Sequence, residues 1–322
     1  MLFFIIRRTL LIIPTMFIVS LIIFVMMQLI PGSVIENLIV DFQYRYEAYD
    51  IEEMKKDLGI DVPIHTQYVR YITGLVQGDL GRSLYTNRPV TPDILARLPV
   101  SFELGFLALL ISLLISLPIG IFSAIRQDTI GDYVARSFAI LSISLPSFWV
   151  ATLVIVYPSI WFKWTPALQY ISFRQDPLAN LAQFMLPATI MGMYMSGTTM
   201  RMTRTMMLEV LRQDYIRTAW AKGLRERVVI IRHSVRNASI PVVTLIGLML
   251  ATLLGGSVIL EEIFALPGLG RYMLEAVGRR DYIVLAGGTL VLAVTVVLAN
   301  LLIDISYAWL DPRIRSARTE TE

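Results

Sequence analysis

The sequence predicts an all-α integral membrane protein: six transmembrane helices, with a small extracytoplasmic cap between spans one and two. Three observations carry that reading. First, 56% of the 322 residues are hydrophobic and 16% are charged, whereas soluble domains carry about 25% charged residues. Second, six stretches, 9–30, 102–124, 134–162, 181–200, 238–263 and 282–309, are long and apolar. Each is near or above the roughly 20 residues that a helix needs to cross a bilayer. In lipid the backbone must satisfy its own hydrogen bonds, so each stretch is assigned as a helix. Third, Lys and Arg alternate in density from one connection to the next, which sets an orientation.

Residues 1–31 hold a short tail and the first span. Arg7 and Arg8 precede an apolar run of signal-peptide character, but Thr9–Ile30 exceeds the roughly 7–15 residues of a signal core. Pro31-Gly32 follows with no small-x-small cleavage pattern, so the run reads as a retained helix. The loop 32–101 is the extracytoplasmic cap. A short helix is expected around Ile51–Leu58, and Tyr44, Tyr46, Tyr49, Tyr68, Val69, Tyr71, Ile72 and Leu75 give the cap something to bury. The turn-rich stretch Gly78-Asp79-Leu80-Gly81-Arg82-Ser83 lies towards its end.

The core, 102–309, holds the other five spans. Pro14, Pro118, Pro146, Pro158 and Pro187 fall inside spans, where neighbouring helices can satisfy the freed carbonyls. The stretch 201–236 contains nine Lys and Arg residues between Arg201 and Arg236, and Arg126, Arg313, Arg315 and Arg318 fall on the same side. That side is the cytoplasm, so both termini, including the tail 310–322, are expected there. Span four, with Gly192, Ser196, Gly197, Thr198 and Thr199, is the least apolar and should face protein or water. On span five Gly247, Ala251 and Gly255 recur every four residues beside Thr244 and Gly256. Such a stripe lets helices approach closely. It reads as contact with a partner subunit, as lining of a pathway with Ser196 and Thr199, or as ordinary packing in one bundle.

Several function classes are excluded. The chain has no cysteine, hence no disulfide, thiol chemistry or Cys-ligated metal. His65 and His233 lie on opposite sides of the expected membrane, which argues against a His-based metal site. A net charge of +3 with no basic tract interleaved with aromatics gives no nucleic-acid surface. Phosphate-loop, zinc-protease and nucleophile-elbow patterns are absent. The chain is thus not expected to be an enzyme or to bind a cofactor. Within the spans the ionisable residues are few, and Glu103, Arg136 and Asp304 each lie near a span end and are expected to meet a partner or water. Ion-coupled carriers need such groups near the midplane. Energy is therefore expected from another subunit.

The cytoplasmic loop is where such a subunit would push. Asp214 is placed to cap a helix along which Tyr215, Ala219 and Lys222 recur, and Gly223 suits a left-handed helix end. The arrangement makes a rigid peg. The alternative is a basic loop on anionic lipid, which the charges support equally.

Arg217-Thr218-Ala219-Trp220-Ala221-Lys222-Gly223 resembles the EAA motif of permeases in ABC importers. Arg217 stands where the motif has Glu, and Ile240-Pro241 comes late, as in the branch that imports dipeptides, oligopeptides and nickel. The stretches Gly78–Ser83, Arg232–Ala238, Glu261–Gly270, Arg280-Asp281-Tyr282 and Leu310–Arg313 are similar to that branch too, most of all to the first of its two permeases. The resemblance implies a prokaryotic inner-membrane complex with a second homologous permease subunit, two cytoplasmic ABC ATPase subunits that hold ATP and Mg, and an extracytoplasmic solute-binding protein. It implies peptide-like cargo, with nickel chelates, glutathione or oligosaccharides as alternatives. Asp214, Arg217, Thr218, Ala219, Lys222, Gly223 and Leu224 would then form the ATPase contact. Glu261, Pro267, Gly268 and Gly270 would form an outer-face loop near substrate handover. A self-sufficient secondary transporter or channel, and a membrane scaffold, are the competing classes.

Overall fold

The computed structural model describes residues 2–29, 61–166 and 169–310. Among them there is no β-strand, only an isolated bridge between Arg82 and Pro89. In chain order the helices are α1 (Leu2–Leu29), α2 (Ile64–Val76), α3 (Val90–Ile125), α4 (Ile130–Ser144), α5 (Ser147–Phe162) and α6 (Pro177–Leu211). They continue with α7 (Asp214–Ala221), α8 (Glu226–Val228), a π-helical stretch Val229–Val235, α9 (Arg236–Gly256), α10 (Val258–Ile263), α11 (Leu269–Arg279) and α12 (Tyr282–Leu310). The helix expected at Ile51–Leu58 and Tyr44, Tyr46 and Tyr49 lie outside the described residues.

Among the described residues, three helices are long and apolar enough to cross a membrane: α1, α3 and α12. The pair α4 and α5 adds a fourth if it counts as one broken span. The expected straight third span is corrected here, because α4 and α5 meet at 90°. Leu145 is forced extended by the proline that follows it, with ψ 120°, and Pro146 starts α5 as its N-cap. No neighbour restores the straight helix. Several other expected ends also shift: α3 begins twelve residues before 102, and α6 runs on to Leu211.

The chain divides into two compact units. The first comprises the described residues of Met1–Arg97 and Tyr272–Val297. Here Phe24 of α1 meets Tyr68 and Tyr71 of α2, with ring centroids 5.2 and 5.9 Å apart. Ile23 packs with Ala286 and Leu290 of α12, and Leu75 and Leu80 close the cluster. Gly78 (φ 79°) and Gly81 (φ 90°) turn the chain after α2, a conformation that favours Gly. Ser83 then donates to the carboxylate of Asp281, which also accepts from the backbone N–H of Val284 at 3.3 Å and so caps α12. Two short stretches 198 residues apart are joined in this way.

The second unit comprises the described residues of Leu98–Arg271 and Leu298–Glu322. Its centre is α6, whose buried residues run from Asn180 to Met207. A Cβ at Gly192 would stand 2.7 Å from the Ala108 carbonyl oxygen of α3, and one at Gly197 the same distance from that of Ala139 of α4. Backbones this close admit only glycine. Phe184, Leu104, Met191, Leu253, Leu260, Phe264 and Leu266 fill the apolar core around it.

Candidate functional site

α6 has 35 residues, about 52 Å of helix, more than the roughly 30 Å of a bilayer's apolar core. Its end carries α7. Arg212 closes α6, and an extended Gln213 redirects the chain into α7. Gln213 holds the N-cap position with no side-chain cap bond, so the expectation that Asp214 caps the helix is corrected. Asp214 is the first helical residue and its carboxylate stays exposed, paired at 3.8 Å with Arg217, which is also exposed. Such a surface pair contributes little stability. A carboxylate in the first turn still complements the helix dipole.

What holds α7 is apolar. Ile216 and Ala219 are buried against Val229 of the π-helical stretch and Val210 of α6. The Tyr215 hydroxyl accepts a bond of 3.0 Å from Asn237. At the far end Gly223 adopts φ 72°. The N–H of Gly223 donates to Trp220 O at 2.9 Å, and that of Leu224 to Ala219 O at 3.4 Å. This is the paired-bond ending that a left-handed residue after a helix permits. A Cβ at Gly223 would touch nothing within 4 Å, so backbone conformation alone selects glycine. Tyr215, Thr218, Trp220, Lys222 and Leu224 face outward on this anchored helix. Beside it the last turns of α6 form an open groove of about 500 Å³ lined by Arg204, Thr205, Leu208, Glu209, Arg212 and Gln213.

Behind the groove lies a cluster absent from the expected sites. Asp132, fully buried in the first turn of α4, receives Arg204 in a two-pronged bond, Nε to Oδ1 and Nη2 to Oδ2, both 2.8 Å. Ser123 donates to Oδ1, and the Asp128 N–H to Oδ2 at 3.0 Å. Arg136, expected to meet a partner or water, lies 3.6 Å from the same carboxylate while its side chain stays 37% exposed. The spacing Thr129-x-x-Asp132, that of a helix-capping box, was the available signal. Thr129 does cap α4, accepting from the Asp132 N–H at 3.4 Å.

The segment Glu261–Gly270 is built on a buried carboxylate. Glu261 Oε1 accepts from Ser257 at 2.6 Å and Ser101 at 2.7 Å, and Oε2 from the Arg271 N–H at 2.9 Å. Ser101 in turn accepts from the Leu269 N–H at 2.8 Å. Gly268 and Gly270 pack over the carboxyl group, where a Cβ would collide. Glu261 is thus the frame of its loop and has no exposed face. In the first unit, Tyr272 donates to Asp93 at 3.3 Å and lies under Arg97, 4.1 Å from ring centroid to guanidinium. Burial, and next the Asp93 charge, push its phenol up to about 12.

The remaining expected positions scatter. Ser196 and Thr199 are fully buried, and their hydroxyls bond Met193 O and Met195 O of their own helix. Thr244 does likewise to Ile240 O. Gly247 packs against Ile303 of α12, so this part of the small-residue stripe serves packing within the chain. Gly255 faces open space. The side chain of Ala251 and the surroundings of Gly256, like the side chain of Asp304, lie outside the described residues.

Residues 116–316 match the family model of the binding-protein-dependent transport system inner membrane component, and residues 1–105 match that of its N-terminal part. The chain belongs to this family. It is 38% identical to the dipeptide transport system permease protein DppB of Escherichia coli K12, over 98% of this chain and 99% of that protein. It is 37% identical to the di/tripeptide transport system permease protein DppB of Pseudomonas aeruginosa, over 99% and 100%. Among solved structures, the MetNI methionine ABC transporter in inward-facing conformations contains a chain of the same fold. The TM-score is 0.50 at 17% identity, over 68% of this permease and 96% of that chain. The protein is therefore a permease component of an ABC importer, a multi-pass protein of the inner membrane.

Proposed function

We propose that this permease forms half of the translocation pathway of an importer for dipeptides and oligopeptides, paired with a second homologous permease. Two cytoplasmic ATPases, binding ATP and Mg on their own chains, would drive it, and an extracytoplasmic binding protein would deliver cargo. Full-length likeness to dipeptide and di/tripeptide permeases supports the cargo class. Six crossings are supported by the six long apolar stretches, and an orientation with both termini and α7 in the cytoplasm and residues 32–101 outside by the Lys and Arg distribution. The α4–α5 pair then counts as one broken span, and α6 and α9 supply the fourth and fifth.

The observation that carries the coupling role is α7 itself. It is short, pinned by Ile216 and Ala219, ended by Gly223, and it presents Tyr215, Trp220 and Leu224 outward. A rigid helix with an exposed aromatic and apolar face fits a groove on a partner protein. ATP-driven closure of the ATPases would move this helix and switch the permease pair between inward-open and outward-open states. The Glu261–Gly270 loop would lie on the outer face.

The test is substitution at Gly223 in the intact complex. A β-branched residue at φ 72° costs about 1–2 kcal/mol or more in backbone strain and unwinds the end of α7. Gly223→Val is expected to abolish peptide uptake while the chain stays in the membrane, and Gly223→Asn, which tolerates this conformation, to keep most of it. Wild-type uptake by Gly223→Val would remove the coupling role.

A further inference from the structure

The Asp132 cluster connects three elements at the end of α6 that carries α7. Arg204 lies on α6, Asp132 on α4, and Ser123 and Asp128 at the end of α3 and in the turn that follows. Arg204 Nε also reaches Ser123 Oγ at 3.0 Å. From this point packing continues without a gap towards α7. Met207, one turn on, is buried with Ala124 of α3 and Ala238 of α9. Val210, the next turn, packs on Ile216, Ala219 and Val229. Gly120 brings α3 against Thr203 of α6, where a Cβ would stand 2.9 Å from the Thr203 Cβ.

We propose that the Asp132–Arg204 pair is a positioning element of the transport cycle, clamping the α7-bearing end of α6 to the α3–α4 turn so that a push on α7 moves all three helices together. The inference rests on the coupling role of α7 proposed above. The chemistry favours transmission over glue. A buried ion pair adds little net stability compared with apolar residues of the same volume. Its distinctive property is a fixed direction: two parallel bonds between planar groups resist both sliding and rotation. Apolar contacts around Met207 resist separation but yield to shear. With the pair intact, displacement of α7 reaches α3 and α4; without it, α6 moves alone.

The experiment uses the complete complex, with both permeases, the ATPases and the binding protein, in proteoliposomes with radiolabelled dialanine. Uptake and ATP hydrolysis are measured on the same vesicles. Asp132→Asn leaves the half-buried Arg204 guanidinium without its carboxylate, so loss of assembly in that variant alone is ambiguous. The deciding variant is the double substitution Asp132→Asn with Arg204→Gln, which removes both charges of the pair and leaves without a carboxylate only Arg136, whose side chain is 37% exposed to water. The expected result is full assembly, continued ATP hydrolysis and at least a ten-fold fall in dipeptide taken up per ATP. A double variant that assembles and keeps the wild-type ratio overturns the proposal, and so does one missing from the complex, since the pair then serves assembly alone. If the wild-type chain itself recruits no ATPase, or takes up no dipeptide when energised, the coupling or cargo reading fails instead.

Discussion

Glu261 shows how much a single buried carboxylate can fix. Both its oxygens are used, by two hydroxyls and one backbone N–H. Glu261→Gln would turn an amide N–H₂ towards the Arg271 N–H or the two hydroxyls, leaving donors unmatched at a cost of about 1–3 kcal/mol. The thermal unfolding midpoint in detergent is expected to fall accordingly. Gly268→Ala should cost a similar amount, about 1–3 kcal/mol, because the new methyl overpacks against the carboxyl group. The same midpoint measurement checks it, and an unchanged value would contradict the packing described. Gly223 was legible from its chain context because its need is local: a helix must stop, and one residue type stops it at positive φ. Asp214 was misassigned by a single position, since the kink at Gln213 depends on how α6 ends and leaves no local mark. Asp132 went unrecognised as a site because its partner, Arg204, is 72 residues away.

Among the helices, α6 is the axle of its unit, and its glycines differ in role according to what they meet. Gly192→Val and Gly197→Val would drive side chains into the carbonyls of α3 and α4. Each is expected to lower the amount of folded chain in the membrane several-fold, read by quantitative blotting. Gly255 on α9 meets nothing among the described residues of its own chain. Gly255→Leu should therefore leave that amount unchanged, and if this face receives the second permease, co-purification of that subunit should drop. Equal yield of both subunits would assign Gly255 to lipid. The stripe Gly247, Ala251, Gly255 was readable from spacing, but spacing alone did not divide it between Gly247, covered by Ile303, and Gly255, left open. The corner at Pro146 was likewise half legible. Proline marked the place but not the 90° angle.

At the scale of the whole chain, composition conveyed the membrane setting and the helical class, because hydrophobic length is a bulk property. Boundaries were less accessible: helices that project past the bilayer, such as α3 and α6, carry ordinary polar sequence there. A cysteine-free chain offers a clean test of orientation. Lys222→Cys is expected to react with an impermeant maleimide only after the membrane is opened, and Arg88→Cys, exposed in the turn before α3, in intact spheroplasts. Reaction of Lys222→Cys in sealed cells would invert the proposed topology. The frame around Glu261 also bears on how such a transporter diversifies. A carboxylate wholly engaged by its own loop and by Ser101 of α3 has no affinity left for a passing solute. Shifts in diet between related permeases are therefore expected to arise in side chains that this scaffold displays, while the scaffold stays the same whatever it helps to admit.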